Sequence, residues 1–470
     1  MTAACCRGPL FAEVSMSDQM QENKMGVMPV KRLLITMSLP IMLSMLIQAL
    51  YNIVDSVFVA QVSENALTAV SMAFPIQNLM ISVGVGTGVG VNALLSRSLG
   101  EKDYDRANKA ASNGVFLAVV SAVAFTILGV LIARPFFEIQ TDVQEIIDCG
   151  TTYISICSAL CFGIFIAIMF ERLLQSTGRT FCTMISQGAG AIVNIVMDPV
   201  LIFGLGPFPR MEVAGAAAAT VLGQMVSAAL TVLFNACYNP EIQLQTKGFR
   251  PDGPTIGRIY AVGVPSIILS SIGSVMIFGL NQILIAFSTT ATAVLGIYFK
   301  VQSFAFMPIF GLNNGMVPIV SYNLGARRKK RLIQTVKFAA VLAVGYMVAC
   351  LLVLQFATVP ILQLFNASEE MLAIGVPALR IISLSFLFAG FSVVVSATFQ
   401  ALGNGVLSML VSIIRQLVVL LPAAWLLSLS GQVGLVWWAF PIAEVCSVLL
   451  CIGFMLYTYQ KIIKPLPEGA

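Results

Sequence analysis

Long apolar runs separated by short polar punctuation set the character of this chain. Twelve of them approach or exceed the roughly 20 residues needed to cross about 30 Å of hydrocarbon. They fall at approximately 33–60, 66–96, 110–133, 146–170, 181–205, 213–237, 257–287, 291–322, 332–356, 372–396, 406–429 and 433–459. Lipid offers backbone groups no hydrogen-bond partner, and the runs lack the polar–apolar alternation of barrel strands, so each reads as a helix. The pattern predicts an all-α integral membrane protein with twelve transmembrane helices.

The chain also repeats itself. A shift of 225 residues aligns Pro40 with Pro265, Phe74 with Phe299, Gln77 with Gln302, and Gly86 and Gly90 with Gly311 and Gly315. Without a gap the match runs on through Ser96 and Ser321, Leu99-Gly100 and Leu324-Gly325, Pro135 and Pro360, and Gly178 and Gly403. Two pseudo-symmetric six-helix bundles are therefore expected, over 33–237 and 257–459, joined by a cytoplasmic linker at 238–256 whose Pro and Gly break the helical pattern. Six is even, so both halves start from the same face and the repeat is parallel, about an axis along the membrane normal.

Composition fits a polytopic membrane protein: 58% of the 470 residues are hydrophobic and 10% charged, with mean hydropathy +0.93. Soluble domains carry about a quarter charged residues. With the N-terminus inside, 21 of the 26 Lys and Arg fall on the cytoplasmic side, Arg172 and Arg179 among them, and only Arg134 and Arg210 lie outside. That imbalance places both termini in the cytosol of a cell membrane, plasma or inner. The formal +5 charge then calls for no nucleic acid, since the basic run Arg327 to Arg331 reads as a topology anchor meeting anionic lipid. Residues 1–32 carry Glu13, Asp18 and Glu22 and no apolar core, so they read as a cytoplasmic tail and not a cleavable signal, with Met16 and Met25 as alternative starts. Residues 460–470 form a second cytoplasmic tail.

Several chemistries drop out. Ten cysteines are scattered without CxxC pairing, and there is no histidine, so neither a disulfide framework nor a His-containing metal site is indicated. The glycine ladder VGVGTGVGVN at 83–92 lies within a span; its Gly84/Gly88 and Gly86/Gly90 spacings suit close helix packing and not a nucleotide. No phosphate-binding GxxxxGK[ST] loop occurs, so uphill work would draw on an ion gradient.

Charged side chains in hydrocarbon cost at least about 2.5–3.5 kcal/mol each, so those present usually face a cavity, pair, and function. The candidates are Asp55 in span 1, Asp198 in span 5, Lys300 in span 8, Arg415 in span 11 and Glu444 in span 12, with Glu171 discounted because Arg172 beside it marks the cytoplasmic boundary. Asp55 and Asp198 lie about 35 and 29 Å along their helices from Arg32 and Arg179, so they share one depth. Tyr51 and Asn194 each stand one turn before an acid. Two acids, a phenol and an amide make a hard-oxygen cluster suited to Na⁺ or to a shared proton. The plainer alternative puts Asp55 near the headgroups and has Asp198 cap a helix break at Pro199. Shifted by 225, the acids meet Leu280 and Ala423, so the halves differ in task; Lys300, Arg415 and Glu444 bring charge to the second, where Glu444 is expected to neutralise one base in a structural or substrate-contacting pair.

LYNIVDSVFVA at 50–60, RSLGEKDYDRAN at 97–108, LLQSTGRT at 173–180, NIVMDPVLIFGLG at 194–206 and VAGAAAAT at 213–220 together carry a family resemblance. Over essentially all twelve spans the chain resembles the multidrug and toxic compound extrusion (MATE) family. The resemblance implies two six-helix lobes in a V-shaped arrangement and antiport of amphipathic organic cations against Na⁺ or H⁺, with no further cofactor. It also implies, in the branch whose cation site lies in the N-terminal lobe, a cluster at Tyr51, Asp55, Asn194, Asp198 and Thr220. Other members use acids in spans 7 and 10, where this sequence has none.

The expected activity is export of small organic cations by alternating access, by a monomer. A lipid-linked saccharide flippase of related architecture is the alternative, and would be expected to carry several cavity bases for phosphates. A major-facilitator sugar transporter typically has GxxxDRxGRR in its 2–3 loop, unlike SLGEKDYDRANKA. A membrane enzyme lacks a metal cluster or a nucleophile with a base.

Overall fold

A computed structural model describes residues 23–245, 249–365 and 367–467; Lys247 and residues 1–22 lie outside them. All regular elements among the described residues are helices. The first half holds α1 (Lys24–Val27), α2 (Val30–Ala60), α3 (Glu64–Gly100), α4 (Tyr104–Glu138), α5 (Gln144–Ala159), α6 (Phe162–Ser176), α7 (Thr180–Phe203) and α8 (Glu212–Tyr238). The second holds α9 (Gly253–Ile285), α10 (Thr289–Gly325), α11 (Lys329–Phe356), α12 (Thr358–Gln363), α13 (Glu369–Ser383), α14 (Phe386–Ala401), α15 (Gly405–Ile413), α16 (Leu421–Ser428), α17 (Val433–Val436) and α18 (Ala439–Thr458). A π-helical stretch, Ile414–Leu420, joins α15 to α16, and another, Tyr459–Ile463, extends α18.

Ten continuous helical stretches among the described residues are long and apolar enough to cross a membrane. Spans 4 and 10, expected to be single helices, are instead bent: α5 meets α6 at 47° and α13 meets α14 at 48°. With each bent pair taken as one span the total is twelve.

The 225-residue repeat is carried down to individual bonds. Ser63 caps α3 by accepting from the Ala66 N–H, and Ser288 caps α10 by accepting from Ala291. Ser96 donates to the Ser176 carbonyl at 3.2 Å, and Ser321 to that of Ala401 at 2.8 Å, fastening each long second helix to the bent span beside it. Gly178 and Gly403 close the turns after those spans at φ +85° and +84°. A Cβ on Gly403 would meet open space, so its cost is backbone strain alone, about 1–2 kcal/mol. Gly403→Ala is therefore expected to lower the thermal midpoint in detergent. Gly345→Ala, mid-helix in α11 and equally uncrowded, should raise it by removing glycine's entropic cost. Shifts of the same sign would contradict this reading.

Glycine also sets where the halves touch. Gly86 and Gly90 turn toward α9, where a Cβ would press on the carbonyls of Gly263 and Ile259, while Gly84 and Gly88 turn toward Phe165 and Arg172 of α6. Gly311 and Gly315 likewise admit Met42 and Ser38 of α2, and Gly100 and Gly325 each abut the other helix's backbone. These inter-lobe approaches begin at residue 86 on α3 and 311 on α10. The lobes are joined over the half nearer the two ends of the described chain, here called the terminal face.

Two departures from the sequence expectation concern that face. Residues 23–28, within the segment read as tail, are ordered between the lobes: Met25 is fully buried, Asn23 donates to the Thr177 carbonyl at 3.3 Å, and Arg331 donates to the Met28 carbonyl at 2.6 Å. Burial and the nearby Arg179 lower the Lys24 ammonium below its ordinary range. The linker is shorter than 238–256, because Asp252 caps α9 and Pro254 falls in its first turn, where a missing N–H costs no helical bond. Its backbone is held along α4: the N–H groups of Gln243, Gln245 and Asp252 donate to Asn108, Ser112 and Asn113 at 2.8, 2.9 and 2.9 Å.

Candidate functional site: the inter-lobe cavity

Beyond the glycine contacts the lobes enclose a cavity of about 1160 Å³. Apolar and aromatic side chains such as Phe74, Phe299, Phe306 and Met276 share its walls with three polar groups, one on each lobe and one at the floor.

The first group lies on the N-terminal lobe, where α2 packs against α7 and α7 against α8. Tyr51, Asp55, Asn194 and Thr220 line the cavity. Asp198 is fully buried just behind them. Asn194 Nδ2 reaches Asp198 Oδ1 at 3.5 Å and Thr220 Oγ1 at 3.4 Å. Tyr51 and Asp55 stand one turn apart on α2, which packs against the α7 that carries Asn194 and Asp198 one turn apart. Three acceptor oxygens, Asp55 Oδ1, Asn194 Oδ1 and Asp198 Oδ2, are buried without a hydrogen-bond partner. Helix α7 continues through Pro199 to Phe203, so Asp198 does not cap a break.

At the floor stand residues that sequence reasoning misplaced. Arg172, expected at the cytoplasmic boundary, is 8% exposed and lines the cavity; its Nη1 donates to Gln175 at 2.9 Å and across the lobes to Asn314 at 3.0 Å. Glu171, discounted on that ground, also lines it and accepts from Gln187 Nε2 at 2.8 Å. Apolar neighbours on both sides carry no mark of a cavity reaching this depth. The one available signal was the amide-rich context of Gln175 and Gln187.

The third group belongs to the C-terminal lobe. Arg415, in the π-helical stretch, pairs with Glu444 of α18 through Nη1 and Oε1 at 2.5 Å, as expected for Glu444, and both line the cavity. Lys300 corrects the expectation. It is exposed, outside the cavity lining, with its ammonium 5.8 Å from the Phe365 ring centroid. Tyr298 and Gln302 face the cavity, and two residues along a helix turn a side chain about 200° away.

Comparison with known proteins supports the architecture. The multidrug export protein MepA of Staphylococcus haemolyticus (strain JCSC1435) is 25% identical over 426 residues, covering 90% of this chain and 92% of that protein. A protein described as an FAD transporter, from Shewanella oneidensis, is 23% identical over 442 residues, covering 93% and 96%. A solved structure described as the outward-facing conformation of a multidrug resistance MATE family transporter of the MOP superfamily superposes with a TM-score of 0.87 at 24% identity, over 96% of this chain and all of that one. The MatE family model matches residues 40–200 and 264–426, one block in each lobe and together well over half of the sequence, and on that ground the chain belongs to the MatE family.

Proposed function

We propose that this protein is a secondary active antiporter that exports amphipathic organic cations in exchange for Na⁺ or H⁺ by alternating access. The observation that carries the reading is the trio of unpartnered acceptor oxygens on Asp55, Asn194 and Asp198. Buried acceptors without donors are costly unless something positive occupies their site. Among the described residues neither acid has a basic partner, so a small cation or a proton supplies the missing charge. Asp55, which lines the cavity, meets both cargo and coupling ion; Asp198, sealed behind it, meets only the ion. Binding of one weakens the other, and reciprocity makes the weakening mutual, as the exchange of cargo for ion in an antiport requires.

The terminal face is cytoplasmic in this reading, from the concentration of Lys and Arg there, so a cavity closed by the glycine seams at that face is outward-open. Multidrug export is the printed activity of the staphylococcal relative. The aromatic walls and acidic pocket here suit the same kind of flat, cationic cargo. The protein works as a monomer in the cell membrane, since each chain holds both lobes and the whole cavity. A flippase for phosphate-bearing lipids fits less well, because it would be expected to line its cavity with several bases, and the described residues put two there, Arg172 and Arg415.

The deciding measurement is dye movement in proteoliposomes with Na⁺ and pH gradients imposed separately. Transport driven by one gradient and indifferent to the other identifies the coupling ion. Dye movement that ignores both gradients would refute antiport, and lipid scrambling without dye movement would favour the flippase.

A further inference from the structure

The N-lobe wall offers acid without base, whereas the C-lobe wall offers a matched pair, and the difference bears on cargo. In the Arg415–Glu444 pair the arginine is the more open partner, its side chain 22% exposed against 11%. The carboxylate oxygen not engaged with Arg415, Glu444 Oε2, is buried and without a partner. The charged edge turned to the cavity is thus guanidinium. Arginine has five N–H donors. Arg415 commits one group, Nη1, to Glu444; Nε is buried without a partner, and no described residue takes Nη2.

A purely structural ion pair would be expected to saturate its neighbours, since buried polar groups are nearly always bonded. This one does the reverse. Ser392 and Ser447, both buried, line the same wall. The helix passes into π-helical winding at Ile414–Leu420, a local widening frequent at functional sites, and both consecutive side chains, Arg415 and Gln416, line the cavity there.

We infer that the C-lobe wall around Arg415 is a recognition site for a carboxylate, so that the favoured cargo is a zwitterion: an aromatic cation whose acid end meets Arg415 while its positive end meets the Asp55 wall. The inference rests on the transport reading above and adds the class of substrate. Asp55 and Arg415 line one and the same cavity, whose volume of about 1160 Å³ accommodates a drug-sized ligand. The incoming carboxylate takes the open Nη2 edge, and Glu444 keeps Nη1. Arginine suits the task because its planar fork can bond two carboxylates at once, as an ammonium cannot with the same geometry.

The test uses the full-length protein in nanodiscs and two dyes that differ in one group: the ethyl ester of a rhodamine, a pure cation, and its free acid, a zwitterion. Wild type is expected to bind the acid at least as tightly as the ester. Arg415→Gln should weaken the acid by about tenfold or more, as loss of one charge-assisted contact does, while the stranded Glu444 carboxylate tightens the cationic ester. Because that variant strands Glu444, the neutral pair Arg415→Gln/Glu444→Gln is measured beside it, and should show the same selective loss with a folded, monodisperse protein. Glu444→Gln alone should tighten the acid by removing its competitor. Equal loss for both dyes, or no loss for either, in the double variant would overturn the zwitterion site while leaving cation transport standing. Failure of wild type to bind either dye would overturn both readings.

Discussion

Asp198→Asn is expected to abolish gradient-driven efflux, cutting the initial rate in proteoliposomes by about a hundredfold or more, which corresponds to roughly 2.7 kcal/mol. The substitution is isosteric, keeps Oδ1 for Asn194, and removes only the negative charge from a site with no basic neighbour. Folding should not suffer, because the amide keeps the side chain's shape and removes the desolvation cost of a buried charge that no basic side chain pairs. Asp198 does not line the cavity, so the variant should still bind dye within about threefold of wild type, but with an affinity that no longer responds to the coupling ion. Asp55→Asn should lose the same transport and, since Asp55 does line the cavity, weaken dye binding as well. Full efflux by both variants would remove the two carboxylates from the mechanism.

The second large effect is expected from the seam and not the pocket. Gly100 lies against the Tyr322 carbonyl and Gly325 against that of Arg97, positions related by the same 225-residue shift. Either Cβ would collide with backbone inside a helix, which has no rotamer to move aside. Overpacking typically costs about 1–3 kcal/mol per site. The double variant Gly100→Ala/Gly325→Ala should therefore shift the balance between the two access states by well over tenfold, away from the closed terminal face. Spin-label distances across that face should lengthen by several Å and efflux should fall by about tenfold or more. An unchanged distance distribution with wild-type efflux would show that the seam does not control access.

Asp55 and Asp198 illustrate what can be read along a chain. Each residue advances an α-helix by about 1.5 Å, so counting from a basic boundary gives depth, and two acids at one depth on helices of one lobe were legible as neighbours. The glycine ladder was legible for a similar reason, since four-residue spacing puts small residues on one face whatever the partner. Only the fold assigned Gly86 and Gly90 to the opposite lobe, and Gly84 and Gly88 to α6.

Lys300 and Arg172 show the other side. Lys300 is deep by count yet turned away from the cavity, and Arg172 is near a boundary by count yet at the cavity floor. Depth follows from sequence position, but the direction a side chain faces depends on which helix packs against it, and the reach of the cavity depends on how two lobes meet. The bends after Ala159 and Ser383 were hidden for the same reason, because an apolar run scores alike whether straight or kinked.

By itself, then, the sequence determined that the chain is all helical, with apolar runs that make twelve spans when each bent pair is taken as one, and the internal repeat, which are local or periodic properties set by lipid's refusal of unpaired backbone. Tertiary structure alone decided which charges share the cavity, that Arg415 presents the guanidinium edge of its pair, and that residues 23–28 wedge between the lobes. Those outcomes hang on contacts between residues distant in sequence, from 29 positions for Arg415 with Glu444 to 142 for Arg172 with Asn314 and 303 for Arg331 with Met28, for which hydropathy carries no signal.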